Sequence, residues 1–170
     1  MAAFLQSELA NVDRTEIMYS QIKTLINQGG DGKLYIIYPD LCGIETKPGD
    51  VLFMLTPNGT TILIDTAAEQ AEEKVIGFLR KIDVKDINYL IITHPDADHI
   101  GNVQAVAEFI CETQKGRIQN YWVNPESSRD NRTETQNYLA GKGTVIDNAV
   151  RAGDQLIIDG VTVNVFGPEM

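Results

Sequence analysis

The sequence has few cysteines and no long apolar run, and each shortage excludes a class of protein. Its two cysteines, Cys42 and Cys111, have no paired spacing, so free thiols are expected and a disulfide has no support from the sequence. No apolar stretch approaches the roughly 18 to 20 residues of a membrane span. The N-terminal stretch, residues 1–8, lacks the basic and apolar regions of a signal peptide. These absences predict a cytoplasmic protein with no membrane segment in this chain.

Basic residues are also scarce. The 170 residues include 14 lysines and arginines against 24 aspartates and glutamates, which gives a net charge of -10. Such a chain has no general positive field to attract nucleic acid or an anionic membrane. An anionic substrate would have to be attracted locally, for instance by bound divalent cations. The balance therefore argues against a sequence-reading nucleic-acid binder and leaves a metal-dependent phosphoesterase open.

The length and a hydrophobic fraction of 43% fit a single globular domain with a core. Helical periodicity predicts an N-terminal helical segment over residues 1–30, ended by glycines, and a second region over residues 31–170. The turn dipeptides Asn58-Gly59 and Asp159-Gly160 each lie between two apolar runs, which predicts two β-hairpins.

Strands and helices alternate through the rest of the chain. The spacing of apolar residues predicts strands at 34–38, 51–55, 61–64, 87–93, 117–123, 155–158 and 161–165, and helices at 66–82, 100–110 and 133–141. Thr66 and Glu69 have the spacing of a capping box at the start of the helix that ends near Ile82. The pattern predicts an α/β (α+β) fold, with helices packed on a face of a sheet.

Both histidines of the chain lie in one six-residue stretch, directly after the apolar strand at 87–93. His94, Asp96, Asp98 and His99 are interleaved there with Pro95. Alternate residues of an extended segment point the same way, so the first three side chains can converge and His99 can join them at the turn into the next helix. Two imidazoles and two carboxylates are enough to begin two metal sites.

A plainer alternative is that this stretch is only a turn, with Asp98 capping the next helix and a histidine buried in the core. Two histidines interleaved with two aspartates at the exit of a buried strand favour metal binding over that alternative.

The stretch His94-x-Asp96-x-Asp98-His99 resembles the His-x-His-x-Asp-His signature of the metallo-β-lactamase fold hydrolases. Its full form, His-Pro-Asp-Ala-Asp-His-Ile-Gly, is most similar to the metallohydrolase domain of ComEC-like competence proteins. The resemblance extends over about residues 33–168. Its less specific parts follow in the family's order: Gly49–Leu52, Ile62–Thr66, Ala152–Leu156 and Val163–Pro168.

The resemblance implies an αββα sandwich of two similar halves with two divalent ions, zinc or manganese, at one edge. His94 and Asp96 would hold the first ion, and Asp98 and His99 the second. Asp98 would also be the catalytic residue of the set. Asp65, at the end of a predicted strand, would be a supporting residue that orients the loop, although an ordinary strand-end or capping aspartate has the same sequence pattern.

Two features depart from the family's pattern. Asp96 stands where the family has its second histidine, and an oxygen donor favours harder ions such as Mn²⁺ or Mg²⁺ over zinc. The family completes its sites with later histidines and aspartates, but this chain has no histidine after His99. Asn124, Asp130 and Asn131 are polar residues that can replace one ligand. We therefore expect this chain to hold only the N-terminal half of the sandwich, which would need a complementary C-terminal half or a homodimer.

The resemblance implies hydrolysis of a phosphodiester, in a small molecule or in nucleic acid such as single-stranded DNA, by a water that two metal ions activate. The ligand loop alone leaves two alternatives open. One is another hydrolase of the same fold, acting on a thioester, lactone or lactam. The other is a truncated, non-catalytic domain that binds metal and serves as a partner module.

Overall fold

A six-stranded mixed sheet forms the centre of the computed structural model, which describes residues 14–123, 131–147 and 151–166. The strands lie in chain order: β1 (Tyr35–Ile37), β2 (Leu52–Leu55), β3 (Thr61–Ile64), β4 (Ile87–Ile92), β5 (Ile118–Val123) and β6 (Val145–Asp147). The first three pair antiparallel, and β3 to β6 pair parallel. A separate hairpin consists of β7 (Gln155–Ile158) and β8 (Val161–Asn164).

Helices cover one face of the sheet, and all but the first lie in the connections between the parallel strands. They are α1 (Arg14–Gln28), α2 (Glu72–Lys81), α3 (Ala97–Ile100), α4 (Val103–Glu108) and α5 (Asn131–Gly141). A 3₁₀ turn, Glu69–Ala71, precedes α2, and a π-helical turn, Phe109–Thr113, continues α4. Within the described ranges, no helix combines the length and apolarity needed to cross a bilayer.

The two faces of the sheet are covered very differently. The helix-covered face contains the main core, in which Phe53, Leu63 and Leu90 are fully buried against the helices. The opposite face carries a small second cluster in which Ile62 and Trp122 pack against Ile158 of the β7–β8 hairpin. The hairpin therefore covers only part of that face.

Both predicted hairpins are confirmed. Strands β2 and β3 pair antiparallel across the Asn58-Gly59 turn, with Leu55 opposite Thr61. Strands β7 and β8 pair across Asp159 and Gly160, both of which have positive φ. The mixed α/β sheet with packed helices also confirms the predicted fold class. The division at residue 30 stays a prediction, and residues 1–13 of the predicted N-terminal helical segment lie outside the described ranges.

The predicted capping box is wrong. Residue 68 precedes the 3₁₀ turn without a side-chain cap, and the Thr66 hydroxyl instead donates to the His99 carbonyl oxygen at 3.0 Å. The predicted helix over 100–110 is interrupted at Gly101-Asn102, where α3 ends and α4 has yet to begin. Strand β6 was not predicted, because three residues are too few to show a strand period.

Candidate metal centre

Sheet topology brings three chain segments to one edge of the sheet. Strands β3 and β4 are parallel, so Asp65 and Thr93, which follow their last residues, lie at the same edge. Strand β2 runs the opposite way, with Leu52 opposite Ile64, and so its entry at Asp50 lies at that edge too. The candidate centre is built where these segments meet.

Backbone hydrogen bonds connect the three segments directly. The Asp50 amide donates to the Asp98 carbonyl oxygen (3.0 Å), and the Thr66 amide donates to the His99 carbonyl oxygen (2.7 Å). The Ala67 amide donates to the Asp50 carbonyl oxygen (2.8 Å). The buried Asn102 side chain adds donors to the carbonyl oxygens of Thr66 (2.8 Å) and Ala68 (2.7 Å). The loop that carries the histidines is therefore fixed to its neighbours by main-chain contacts.

Two glycines permit this close approach. A Cβ on Gly49, which has φ of +80°, would lie 1.8 Å from the Asp98 carbonyl oxygen. A Cβ on Gly101 would lie 2.5 Å from the Glu69 amide nitrogen and 2.7 Å from the Ala67 carbonyl oxygen. No other residue type fits at these positions without moving the backbone.

Asp65 is the central hydrogen-bond acceptor of the centre. It is 4% exposed, and its carboxylate accepts from the Thr93 amide (2.8 Å), the Thr93 hydroxyl (2.7 Å) and His99 Nδ1 (2.9 Å). Its own φ of +58° and that of Ala67 (+59°) are uncommon for residues with a Cβ. Positive φ at two positions of one loop is the kind of backbone strain that concentrates at functional sites.

These contacts leave the Nε2 atoms of both imidazoles available as ligands. A carboxylate only accepts, so Nδ1 of His99 carries the proton that it donates to Asp65. The Thr93 hydroxyl gives its proton to Asp65, so its oxygen accepts from Nδ1 of His94 at 3.1 Å. In the neutral form each ring therefore has its lone pair on Nε2. Metal-binding histidines usually have this arrangement, with a carboxylate or hydroxyl behind the ring.

The structure brings His94, Asp98 and His99 together. One ligand atom from each lies within 4.8 Å of the other two, and the two imidazole centroids are 3.6 Å apart. All three side chains are half-buried at the sheet edge. Two nitrogens and a carboxylate oxygen suit zinc or manganese, so these residues fit a divalent ion.

Asp96 lies outside this group. Its carboxylate oxygen is 3.8 Å from His94 Nε2, and its side chain is exposed. The extended alternation ends at Asp96, because α3 begins at the next residue and turns Asp98 and His99 with its first turn. The backbone carbonyl of Asp96 accepts from the His99 and Ile100 amides, and its side chain makes no cap. Asp98 therefore does not cap the helix either.

Sequence reasoning did not assign a role to Asp50, Thr93 or Asn102. Thr93 follows the strand directly, so a hydroxyl beside a metal-type histidine was the available signal for it. Asn102 is only three residues after His99, but its donors reach Thr66 and Ala68, which are distant in sequence. Asp50 is far from the cluster in sequence, and the pairing of β2 with β3 brings it near. Asn124 and Asp130 lie outside the described residues, as does the side chain of Asn131.

A family model described as the metallo-beta-lactamase superfamily matches residues 47–135. No curated protein sequence matches this chain. Among solved structures, the chain is similar to a metallo-β-lactamase with a HARLDQ motif from Cronobacter sakazakii (15% identity, TM-score 0.47). That match covers 82% of this chain and 54% of the other.

Two further solved structures are similar to the same extent. One is a flavo-di-iron protein variant from Thermotoga maritima (20% identity, TM-score 0.47, covering 78% of this chain and 33% of the other). The other is a subclass B3 metallo-β-lactamase from Bradyrhizobium japonicum (18% identity, TM-score 0.45, covering 79% and 51%). The chain spans about half the length of these proteins or less.

Proposed function

The chain belongs to the metallo-β-lactamase superfamily, and on that premise we propose that it is a metal-dependent hydrolase domain. The observation that carries the proposal is the convergence of His94, Asp98 and His99 with both Nε2 atoms available. A divalent ion at such a site lowers the pKa of a water and neutralises charge that develops on a substrate oxygen. Asp98 is the proposed catalytic residue, and Asp96 and Asp65 complete the proposed set as a ligand and a supporting residue.

Each residue of the centre has a distinct part in this proposal. Asp65 fixes the tautomer of His99 directly and orients His94 through the Thr93 hydroxyl. Asp98 brings a carboxylate to the same edge, where a substrate oxygen and a water would meet. Asp96 is exposed beside His94, so a side-chain rotation would be needed for it to become a ligand. Two ions, zinc or manganese, would use all four residues of the loop.

For the substrate we propose a phosphodiester, in a small molecule or in nucleic acid. The support is the resemblance of the loop to ComEC-like domains and the oxygen donor at Asp96, which suits the harder ions that bind phosphate oxygens. Bound cations would also offset a net charge of -10 and attract an anionic substrate locally. A thioester, lactone or lactam substrate is the alternative, because the loop residues do not distinguish these substrate classes from a phosphodiester.

The experiment loads the purified chain with Mn²⁺ or Zn²⁺ and measures bound metal and hydrolysis of bis(p-nitrophenyl) phosphate. We expect turnover that chelation abolishes and that His94→Ala or Asp98→Ala removes together with most metal binding. Asp83→Asn is the matched control, because Asp83 pairs with Lys23 on the helix side, away from the centre. A folded chain that binds no metal, or His94→Ala with undiminished turnover, would contradict the proposal.

A non-catalytic partner module is a second candidate, and the exposed apolar side chains favour it. Tyr38 is 75% exposed, Ile157 73% and Phe166 88%, and Ile36 lies beside Met54 on the sparsely covered face of the sheet. We propose that a complementary half or a second copy of the chain covers this face. Light scattering on the same preparation tests this: we expect a dimer or larger species, and a monomer that unfolds cooperatively would contradict it.

A further inference from the structure

Asp50 lies at the candidate centre without any assigned part in it. Its amide donates to the Asp98 carbonyl oxygen (3.0 Å) and its carbonyl oxygen accepts from the Ala67 amide (2.8 Å). The residue before it, Gly49, packs directly against the Asp98 backbone. The Asp50 backbone is therefore fixed from both sides by the two loops that carry Asp98 and Asp65.

The Asp50 carboxylate points at the ligand nitrogen of His99. Its Oδ2 atom lies 3.6 Å from His99 Nε2, whereas Oδ1 of Asp98 lies 3.9 Å from the same nitrogen. Two donors that bind one ion at about 2.0 to 2.2 Å are themselves separated by roughly 3 to 4 Å. Both distances fall in this range, so the Asp50 carboxylate is as well placed as the Asp98 carboxylate to share an ion with His99 Nε2.

An ion pair with a protonated His99 is the competing explanation, and it accounts poorly for this placement. A separation of 3.6 Å is too long for a hydrogen bond from Nε2. The Asp50 side chain is 79% exposed, and surface ion pairs contribute little because water and salt screen them.

We infer that the Asp50 carboxylate is a further protein ligand to the divalent ion bound at His99 Nε2. The inference rests on the proposed function, in that it takes this cluster to be a metal centre. It adds a ligand from the strand β2 entry, 44 residues before His94 in the sequence. With it, the ion at His99 would gain a carboxylate donor from a segment outside the histidine loop.

The first test is calorimetric titration of the chain with Co²⁺. We expect Asp50→Asn to weaken Co²⁺ binding by about 10- to 100-fold or more, the range seen when even an indirect contact to a metal is removed. Glu45→Gln is the matched control, because Glu45 is an exposed carboxylate of the same loop. It removes the same charge and should change affinity by less than about two-fold, since exposed charges are screened.

The second test replaces the carboxylate by a thiol. In a Cys42→Ser background, which removes the exposed native cysteine, Asp50→Cys should give an intense sulfur-to-cobalt charge-transfer band when Co²⁺ is added. Glu45→Cys should give none. The band requires a direct bond to the ion, so a merely structural role for residue 50 would not produce it.

The outcomes separate the inference from the proposed function. If the wild-type chain binds Co²⁺ but Asp50→Asn binds it equally well and Asp50→Cys gives no band, the inference is wrong and the metal centre stands. If the folded wild-type chain binds no Co²⁺, the metal centre itself is wrong and the inference with it. If Asp50→Asn fails to fold, the Asp50→Cys variant tests the inference instead: a charge-transfer band supports it, and no band contradicts it.

Discussion

Two aspartates at opposite ends of strand β3 have similar backbone φ angles and very different surroundings. Asp65 follows the strand at the metal-centre edge, and Asp159 contacts the turn before it at the other edge. Both have positive φ, 58° and 54°, and both use a carboxylate to connect segments distant in sequence. Their partners differ: Asp65 accepts from an imidazole and from Thr93, whereas Asp159 accepts from hydroxyl and amide groups of the turn before β3.

Asp159 fastens the β7–β8 hairpin to the sheet. Its Oδ2 accepts from the Thr56 hydroxyl (2.6 Å) and the Asn58 amide (3.0 Å), and its Oδ1 accepts from the Asn58 side chain (2.5 Å). These bonds lie directly beside the cluster where Ile158 packs on Ile62 and Trp122. Asp159 therefore supports packing, while Asp65 determines how two imidazoles present their nitrogens. The comparison shows that partners, and not local backbone, decide what an aspartate does.

The largest expected effect in this comparison comes from Asp65→Asn. The amide would place a donor beside Nδ1 of His99, so the ring proton would move to Nε2 and block the ligand nitrogen. We expect metal affinity to fall about 10- to 100-fold. We also expect unfolding to cost about 1.5 to 3 kcal/mol less, because buried hydrogen bonds to a charged group are lost. Metal titration and urea denaturation measure the two effects. Unchanged metal affinity would contradict the role given to Asp65.

A smaller and different effect is expected from Asp159→Asn. Asparagine also tolerates positive φ, so the turn is kept while the charged acceptor of Thr56 and Asn58 is lost. We expect a lower midpoint of urea denaturation and unchanged metal affinity. This variant is thus the matched control for Asp65→Asn. If both substitutions weakened metal binding equally, the contrast between the two ends of β3 would not hold.

The smallest effect is a dependence on pH. Hydrogen bonds, first from Thr56 and then from the Asn58 side chain, lower the pKa of Asp159 below its ordinary value of 3.8. A lowered pKa in the folded state stabilises the protein above the unfolded value, and this stabilisation is lost as the pH falls through the folded value. The stability difference between wild type and Asp159→Asn should therefore be constant near neutral pH and shrink below about pH 4. Urea denaturation of both proteins across this range checks it. A difference that grows on acidification would contradict the assignment.

Local signals in the sequence were sufficient for the elements on which the centre is built. Alternating and continuous apolar runs predicted β3 and β4 to within a residue, and Asn58-Gly59 and Asp159-Gly160 predicted both hairpins. These signals work because strand periods and positive-φ turns depend on neighbouring residues. The same logic failed for Thr66, whose hydroxyl is drawn to the His99 carbonyl oxygen 33 residues away instead of capping its own helix.

The residues of the loop 94–99 could be predicted from the sequence, but the residues that surround the loop in the structure could not. His94, Asp98 and His99 could be chosen from residue type and spacing, and the structure brings them together. Asp96 was chosen by the same spacing, but the helix that begins at Ala97 ends the alternation and leaves Asp96 outside the group. Asp50 lies in the Gly49–Leu52 stretch that resembles the family, but no local signal in the sequence places it beside His99, because that position depends on the antiparallel pairing of β2 with β3.

The sequence alone determined which metal-type side chains follow the buried strand, namely two histidines and two aspartates within six residues. Only the tertiary structure decided how they are presented. Asp65 orients His99 from a distance of 34 residues, and Asp50 approaches from the start of another strand. The reason is physical: ligand identity is a property of side chains, whereas ligand geometry depends on hydrogen bonds between loops that meet only at the edge of a folded sheet.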